Sequence, residues 1–175
     1  MASPAGPASW PPSSILELVT SQADKFATPR VAAGVLFRDD AGRVLLVKPT
    51  YKTGWEIPGG YVERGESPLA AAIREVAEEL GADLDVAELL VLDWAPHPAE
   101  GDKLLFIFRG RTLNQADLDR LQLDTAEIAE AQFFPVEQLA ELMPDRLARR
   151  GAEAARQDAG TYLEHGRSLA APARP

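Results

Sequence analysis

The stretch from Gly60 to Ala82, GYVERGESPLAAAIREVAEELGA, constrains this chain more than any other part of it. It contains a helix with both ends marked: Ser67 is placed to cap, Pro68 takes the first helical position, and Gly81 follows the last turn. The spacing predicts a helix over Pro68 to Leu80. At 100° per residue, Leu69, Ile73, Val76 and Leu80 fall within roughly a 60° stripe, which is expected to face the core. Glu75, Glu78 and Glu79 form an acidic ridge beside that stripe, with Glu79 nearest the buried face. Such a ridge is unfavourable on its own. Like charges at i, i+3 and i+4 repel, and Glu78 and Glu79 occupy the last turn, where the helix dipole disfavours anions by roughly 0.3 to 1 kcal/mol each. Arg74 offsets part of this through its i+4 relation to Glu78, but one cation facing three anions leaves the ridge short of positive charge. A hard divalent cation would complete it. Magnesium takes oxygen ligands and is commonly held by one or two carboxylates together with substrate phosphates.

The rest of the chain supplies strands for this helix to pack on. Val31 to Phe37 and Arg43 to Val47 are β-rich runs separated by Asp39-Asp40-Ala41-Gly42, which predicts a hairpin. Further strands are expected near Glu88 to Trp94 and Lys103 to Leu113, with a last one at Ala131 to Val136 before a helix at Glu137 to Met143. Asn114 to Glu130 is polar and mixed. Strands alternating with helices give an α/β (α+β) class. Residues 1–29 are read as a tail of Ala, Pro and Ser followed by a short amphipathic helix from Ser14 to Phe26. Residues 30–144 are read as the principal domain and residues 145–175 as a C-terminal helical extension and tail. Asp145 to Glu164 is helical in pattern, poor in large apolar residues, and expected to pack loosely.

Composition narrows the partners. With no cysteine and two histidines, thiolate sites are excluded and a zinc site is disfavoured, so a metal should sit on oxygen. A net charge of −9 opposes sequence-independent binding to nucleic acid or an anionic membrane, because both depend on neutralising phosphates with Lys and Arg. A small phosphate ester remains compatible if a cation mediates. The N-terminal residues lack the basic and apolar regions of a signal peptide, and no long apolar run occurs, which gives a cytoplasmic expectation. The amphipathic N-terminal segment is compatible with a homodimer.

Against this background the stretch resembles the Nudix box, G-x5-E-x7-R-E-U-x-E-E-x-G-U, with U a bulky aliphatic. Gly60, Glu66, Arg74, Glu75, Val76, Glu78, Glu79 and Gly81 fill its positions in order, and Ala82 alone departs from the pattern. A chance match of those eight positions is on the order of 10⁻⁹ per start point. The preceding Trp55-Glu56-Ile57-Pro58-Gly59 also resembles the usual approach to the box, and a weaker similarity extends over roughly Val31 to Met143. The resemblance implies a Nudix fold, a mixed β-sheet sandwiched between helices, and hydrolysis of a pyrophosphate linkage with Mg²⁺, for which Mn²⁺ could substitute.

Carried over residue by residue, the resemblance implies that Glu75, Glu78 and Glu79 bind the metal, with Glu79 indispensable and Glu75 a ligand or base. A carbonyl of Gly59 or Gly60 would add a ligand, Arg74 would orient the glutamates, and Glu66 would fix the loop. Gly81 is structural. Many family members take the general base from a loop before the last strand. Glu127 occupies such a loop here, with Glu75, Glu130 and Asp124 as competitors.

The substrate is less constrained. Many ADP-ribose pyrophosphatases of the family carry a proline about fifteen or sixteen residues beyond the box, and Pro98 follows Ala82 by sixteen. The favoured partner is a small-molecule nucleotide diphosphate derivative, ADP-ribose or a nucleotide sugar. The alternatives are a nucleoside triphosphate and a Nudix-like sensor that binds without turnover. Tyr51, Trp55 and Tyr61 are candidates to stack on a base.

Overall fold

The computed structural model describes residues 26–169. The expected N-terminal tail and nearly all of the expected amphipathic helix lie outside these residues. Eight strands, β1 (Arg30–Leu36), β2 (Val44–Pro49), β3 (Gly59–Tyr61), β4 (Val86–Trp94), β5 (Lys103–Gly110), β6 (Ile128–Phe134), β7 (Thr161–Glu164) and β8 (Arg167–Ser168), are joined by α1 (Pro68–Leu80), α2 (Gln115–Leu118), α3 (Leu139–Leu142) and α4 (Asp145–Arg156). Six strands form one sheet in the order β3-β1-β5-β4-β7-β8, and β2 pairs with β6 separately. The large sheet is mixed: β1 runs parallel to β5 and β4 to β7, while the other pairs are antiparallel.

Strand alternation sorts the apolar side chains into two cores. Val35, Phe37, Leu45, Val47 and Phe108 join Ala71, Ala72, Val76 and Leu80 of α1 in one. Leu36, Val44, Leu46 and Ile107 join Leu139, Met143, Ala148, Ala154 and Leu163 in the other. The strands are thus covered on both faces, which is why β1 and β2 read as nearly continuous apolar runs. No helix among the described residues is long and apolar enough to cross a membrane.

The structure corrects four local expectations. The turn at Asp39 to Gly42 forms, with the Asp39 Oδ1 accepting from the Ala41 and Arg43 amides at 3.0 and 2.8 Å, but β1 and β2 then part into different sheets. The polar connection after Asn114 contains α2, closed by a capping box between Asn114 and Asp117. The helix expected at Glu137 to Met143 is split between a 3₁₀ turn at Val136–Gln138 and α3. Asp145 to Glu164 does not pack loosely: α4 buries Ala148 and Ala154, and the chain returns as β7 beside β4.

Candidate functional site

The α1 helix runs from Pro68 to Leu80 as its sequence markers require. The Ser67 hydroxyl accepts from the Ala70 amide, and Gly81 adopts φ 60° while its N–H donates to the Ala77 carbonyl. Its buried face differs from the wheel's prediction. Ala71, Ala72, Val76, Glu79 and Leu80 are buried, whereas Leu69 and Ile73 are exposed. The two alanines allow close approach to the sheet, and that approach, rather than the widest apolar stripe, decides which side faces inward. The rotation carries Glu79 into the interior, 5% exposed.

Inside, the Glu79 Oε2 accepts from the Gly59 amide at 2.9 Å. Burial pushes its carboxyl up to about 8; the Gly59 amide opposes this, while Glu75, Glu56 and Glu127 add to it through repulsion. Glu75 is half-buried, and its carboxyl is likewise raised, by burial first and then against the pull of Arg74. Glu78 is exposed. The structure therefore brings Glu56, Glu75 and Glu127 within electrostatic reach of Glu79, and Glu127 within reach of Glu75.

Arg74 occupies the middle of the box. Its Nε and Nη2 donate to the two Glu66 oxygens at 3.0 and 3.1 Å, Nη1 to Glu75 at 2.8 Å and Glu78 at 2.9 Å, and Nη2 also to the Tyr61 carbonyl at 3.1 Å. Glu66 also accepts from the Glu63 amide, so one guanidinium ties the loop ahead of the helix to the ridge on it. Arg74 and that amide hold the Glu66 carboxyl below its usual range.

Two glycines have steric reasons. A Cβ on Gly60, in β3, would collide with the Glu75 carboxylate, and one on Gly81 would run into the Gln122 backbone. The second contact lets the segment before β6 lie over the end of α1, where the Gln122 and Asp124 amides donate to the Leu80 and Glu79 carbonyls at 2.9 and 3.2 Å. Thr50 fastens the other side of that segment, its amide donating to the Glu127 carbonyl and its hydroxyl to that of Ala126. Glu127 is thereby delivered to the box from 48 residues beyond Glu79. The competing Asp124 spends its carboxylate on the Ala126 amide at 2.9 Å, and Glu130 lies in β6 opposite Lys48. Ala82, the departure from the box pattern, packs partly buried against the first core.

The donor set is entirely oxygen, suited to a hard cation. Among the described residues no three carboxylates or histidines are arranged to hold an ion. Arg74 holds one oxygen of Glu75 and one of Glu78, leaving the second oxygen of each free of it. Glu79, buried with one amide partner, and Gly60, whose missing side chain makes room for Glu75, fit such an ion.

Beside the carboxylates lies a cleft of about 320 Å³, lined by residues of β1, β5 and α4 and by Glu56, Ile57, Gly59, Gly60 and Tyr61. Tyr51 and Tyr61 line it, whereas Trp55 does not. Trp55 packs edge-on to Phe134 at 4.8 Å beside the second core. Tyr61 is held in place: its hydroxyl donates to Glu100 at 2.7 Å, and Lys103 contacts that hydroxyl at 2.8 Å while lying over the ring. Lys103 and Tyr61 hold the Glu100 carboxyl down to about 2.

Sequence reasoning missed Glu56, which enters the site through the pairing of its backbone with Val47 and carries an ion pair to Lys52 at 2.7 Å. Its place in the approach to the box was the available signal.

The NUDIX domain family model matches residues 28–157. A putative ADP-ribose pyrophosphatase, YjhB of Bacillus subtilis (strain 168), is 33% identical over 141 residues. That alignment covers 75% of this chain and 64% of the relative, so the chain spans less than two thirds of that protein's length. The crystal structure of a UDP-X diphosphatase superposes with a TM-score of 0.61 at 24% identity, covering 89% of this chain and 77% of that one. The MutT protein from Methanosarcina mazei Go1 gives 0.60 at 20% identity, over 75% of this chain and 99% of that one. The last two likenesses establish the shared fold.

Proposed function

This chain belongs to the Nudix family, and from that premise we propose that it is a magnesium-dependent hydrolase of a pyrophosphate bond in a nucleoside diphosphate linked to a second group, ADP-ribose or a nucleotide sugar. The observation that carries the reading is the buried Glu79, repelled by Glu56, Glu75 and Glu127 and bonded to the Gly59 amide, where Glu56 and Gly59 line a cleft of ligand size. Among the described residues Glu79 is buried with one amide partner and no cation, and an acid so placed suits a site completed by a cation and a phosphate ligand. The names of the YjhB relative and of the UDP-X diphosphatase support a diphosphate carrying a second group.

Glu75, Glu78 and Glu79, with a carbonyl of Gly59 or Gly60, would hold magnesium. When bound, the ion would offset the charge of the diphosphate and acidify a water. The water oxygen attacks one phosphorus as the bond from that phosphorus to the bridging oxygen breaks, and Glu127 takes the water's proton. Glu127 suits this because it is exposed on a loop fastened to both Thr50 and the end of α1, so its carboxylate is placed without being consumed by a turn. Arg74 keeps Glu66, Glu75 and Glu78 in register on the box.

The test is product analysis with magnesium over ADP-ribose, a nucleotide sugar and nucleoside triphosphates. The reading expects a mononucleotide plus a sugar phosphate. A mononucleotide plus pyrophosphate would reassign the chain to triphosphates, and binding without turnover would make it a sensor. In the same assay Glu127→Gln should lower kcat by roughly 10² or more with little change in KM; a change confined to KM would move the base to Glu75.

A further inference from the structure

The α4 helix brings two cations to the cleft. Arg146, Leu147, Arg150 and Gly151 line it from a single face of α4. Arg150 is 3% exposed, and its Nε donates to the Asp93 Oδ2 at 2.6 Å. The other Asp93 oxygen, Oδ1, accepts from the Gly166 amide at 3.0 Å. The Arg150 Nη2 is left buried with no acceptor, one of two such side-chain nitrogens among the described residues. The other, on Arg149, belongs to a residue that lines a separate hollow.

Arg146, one turn earlier, is exposed to the same cleft, and no acidic side chain among the described residues forms an ion pair with it. Its charge acts repulsively on Arg150. Two like charges at i and i+4 weaken a helix unless an anion is shared between them. A buried guanidinium N–H without a partner marks a position where an acceptor belongs, and its planar fork matches phosphate oxygens.

We propose that Arg146 and Arg150, both on α4, form an oxyanion-binding wall that takes phosphate oxygens of the substrate. The assignment rests on the cleft being the substrate site, and adds to that reading a second grip supplied by a helix outside the box. The phosphate can be the diphosphate itself or a further phosphate on the ligand.

Calorimetry at fixed magnesium and ionic strength tests this. The probes are α,β-methylene-ADP, whose P–C–P bridge resists hydrolysis, and the same compound with an added 2′-phosphate. Arg146→Gln removes an exposed cation, and Arg150→Lys keeps a charge opposite Asp93 while removing the fork; thermal melts report whether each is folded. Each substitution should weaken binding about ten-fold, the Arg146 variant with an unchanged melting temperature. Weakening with both probes assigns the wall to the diphosphate, and weakening only with the added phosphate assigns it to that group. If Arg150→Lys fails to fold, Arg146→Gln decides alone. Dissociation constants within about two-fold of wild type for both probes, or no binding by the wild type, overturn the proposal. Binding that weakens in the variants of a protein that hydrolyses nothing would retire the proposed reaction and leave the wall standing. Hydrolysis with unaltered binding in the variants would do the reverse.

Discussion

Glu79 and Asp93 are both buried carboxylates, at 5% and 0% exposure, yet their surroundings are opposite. Asp93 meets a guanidinium at 2.6 Å and a backbone amide at 3.0 Å, so both oxygens are engaged and its charge is balanced. Glu79 meets one amide and faces three other carboxylates. The fold has built a complete ion pair where β4, α4 and the β7–β8 turn join, and an incomplete one where α1 meets β3. An acid that a protein buries and balances holds the structure together; one that it buries and leaves unbalanced marks where a ligand completes the charge.

Four changes break or sharpen this contrast. The largest effect is expected from Asp93→Asn, which strips Arg150 of its counter-charge while keeping shape. It should cost about 3 to 5 kcal/mol and lower the melting temperature by roughly 6 to 20 °C. A melt within about 2 °C of wild type would show that the pair is not balanced as described. Glu79→Gln comes next and is opposite in kind. Turnover should fall by roughly 10² to 10³, while the metal-free protein melts no lower than wild type because a neutral amide of the same shape replaces a carboxyl that burial and its neighbours disfavour when ionised. Substantial unfolding of that variant would put Glu79 in the same class as Asp93.

A smaller effect concerns pH. Since the Glu79 carboxyl stands at about 8 in the folded chain against an ordinary 4.5, the folded state binds this proton more tightly than the unfolded state. Its contribution to stability is therefore complete below about 4.5 and is lost as the pH rises through about 8. In chelator the wild type should melt progressively lower across that window, and Glu79→Gln should flatten the slope. Parallel slopes would contradict the burial of this charge.

The two regions also differ in how legible they are in the sequence. The box helix was readable to its end residues because Ser67, Pro68 and Gly81 act within one turn of themselves. Its orientation was not, since Leu69 and Ile73 outweigh Ala71 and Ala72 on a wheel while the sheet admits only the smaller pair. The α/β (α+β) class follows from strand and helix patterns and the mixed sheet between helices from the family resemblance, but the parting of β1 from β2 depends on β6, which lies 79 residues beyond Pro49 at its start. Glu127 came from a family resemblance; Glu56 went unread because a backbone pairing with Val47, not a periodicity, brings it in. The Asp93–Arg150 pair joins residues 57 apart and leaves no local mark. β7 reads as more helix in the sequence because four residues, TYLE, carry too little alternation to outweigh the Ala-rich, Arg-rich run before them.

The smallest effect tests the central claim most directly. If the acids around Glu79 are short of a cation that the folded chain alone can gather, magnesium at ten times its dissociation constant should stabilise the wild type by about 1.4 kcal/mol. At constant ionic strength that is a melting-point rise of roughly 3 to 6 °C, and Glu79→Gln should lose most of it. Equal magnesium shifts in the two proteins, or none in the wild type, would contradict the account.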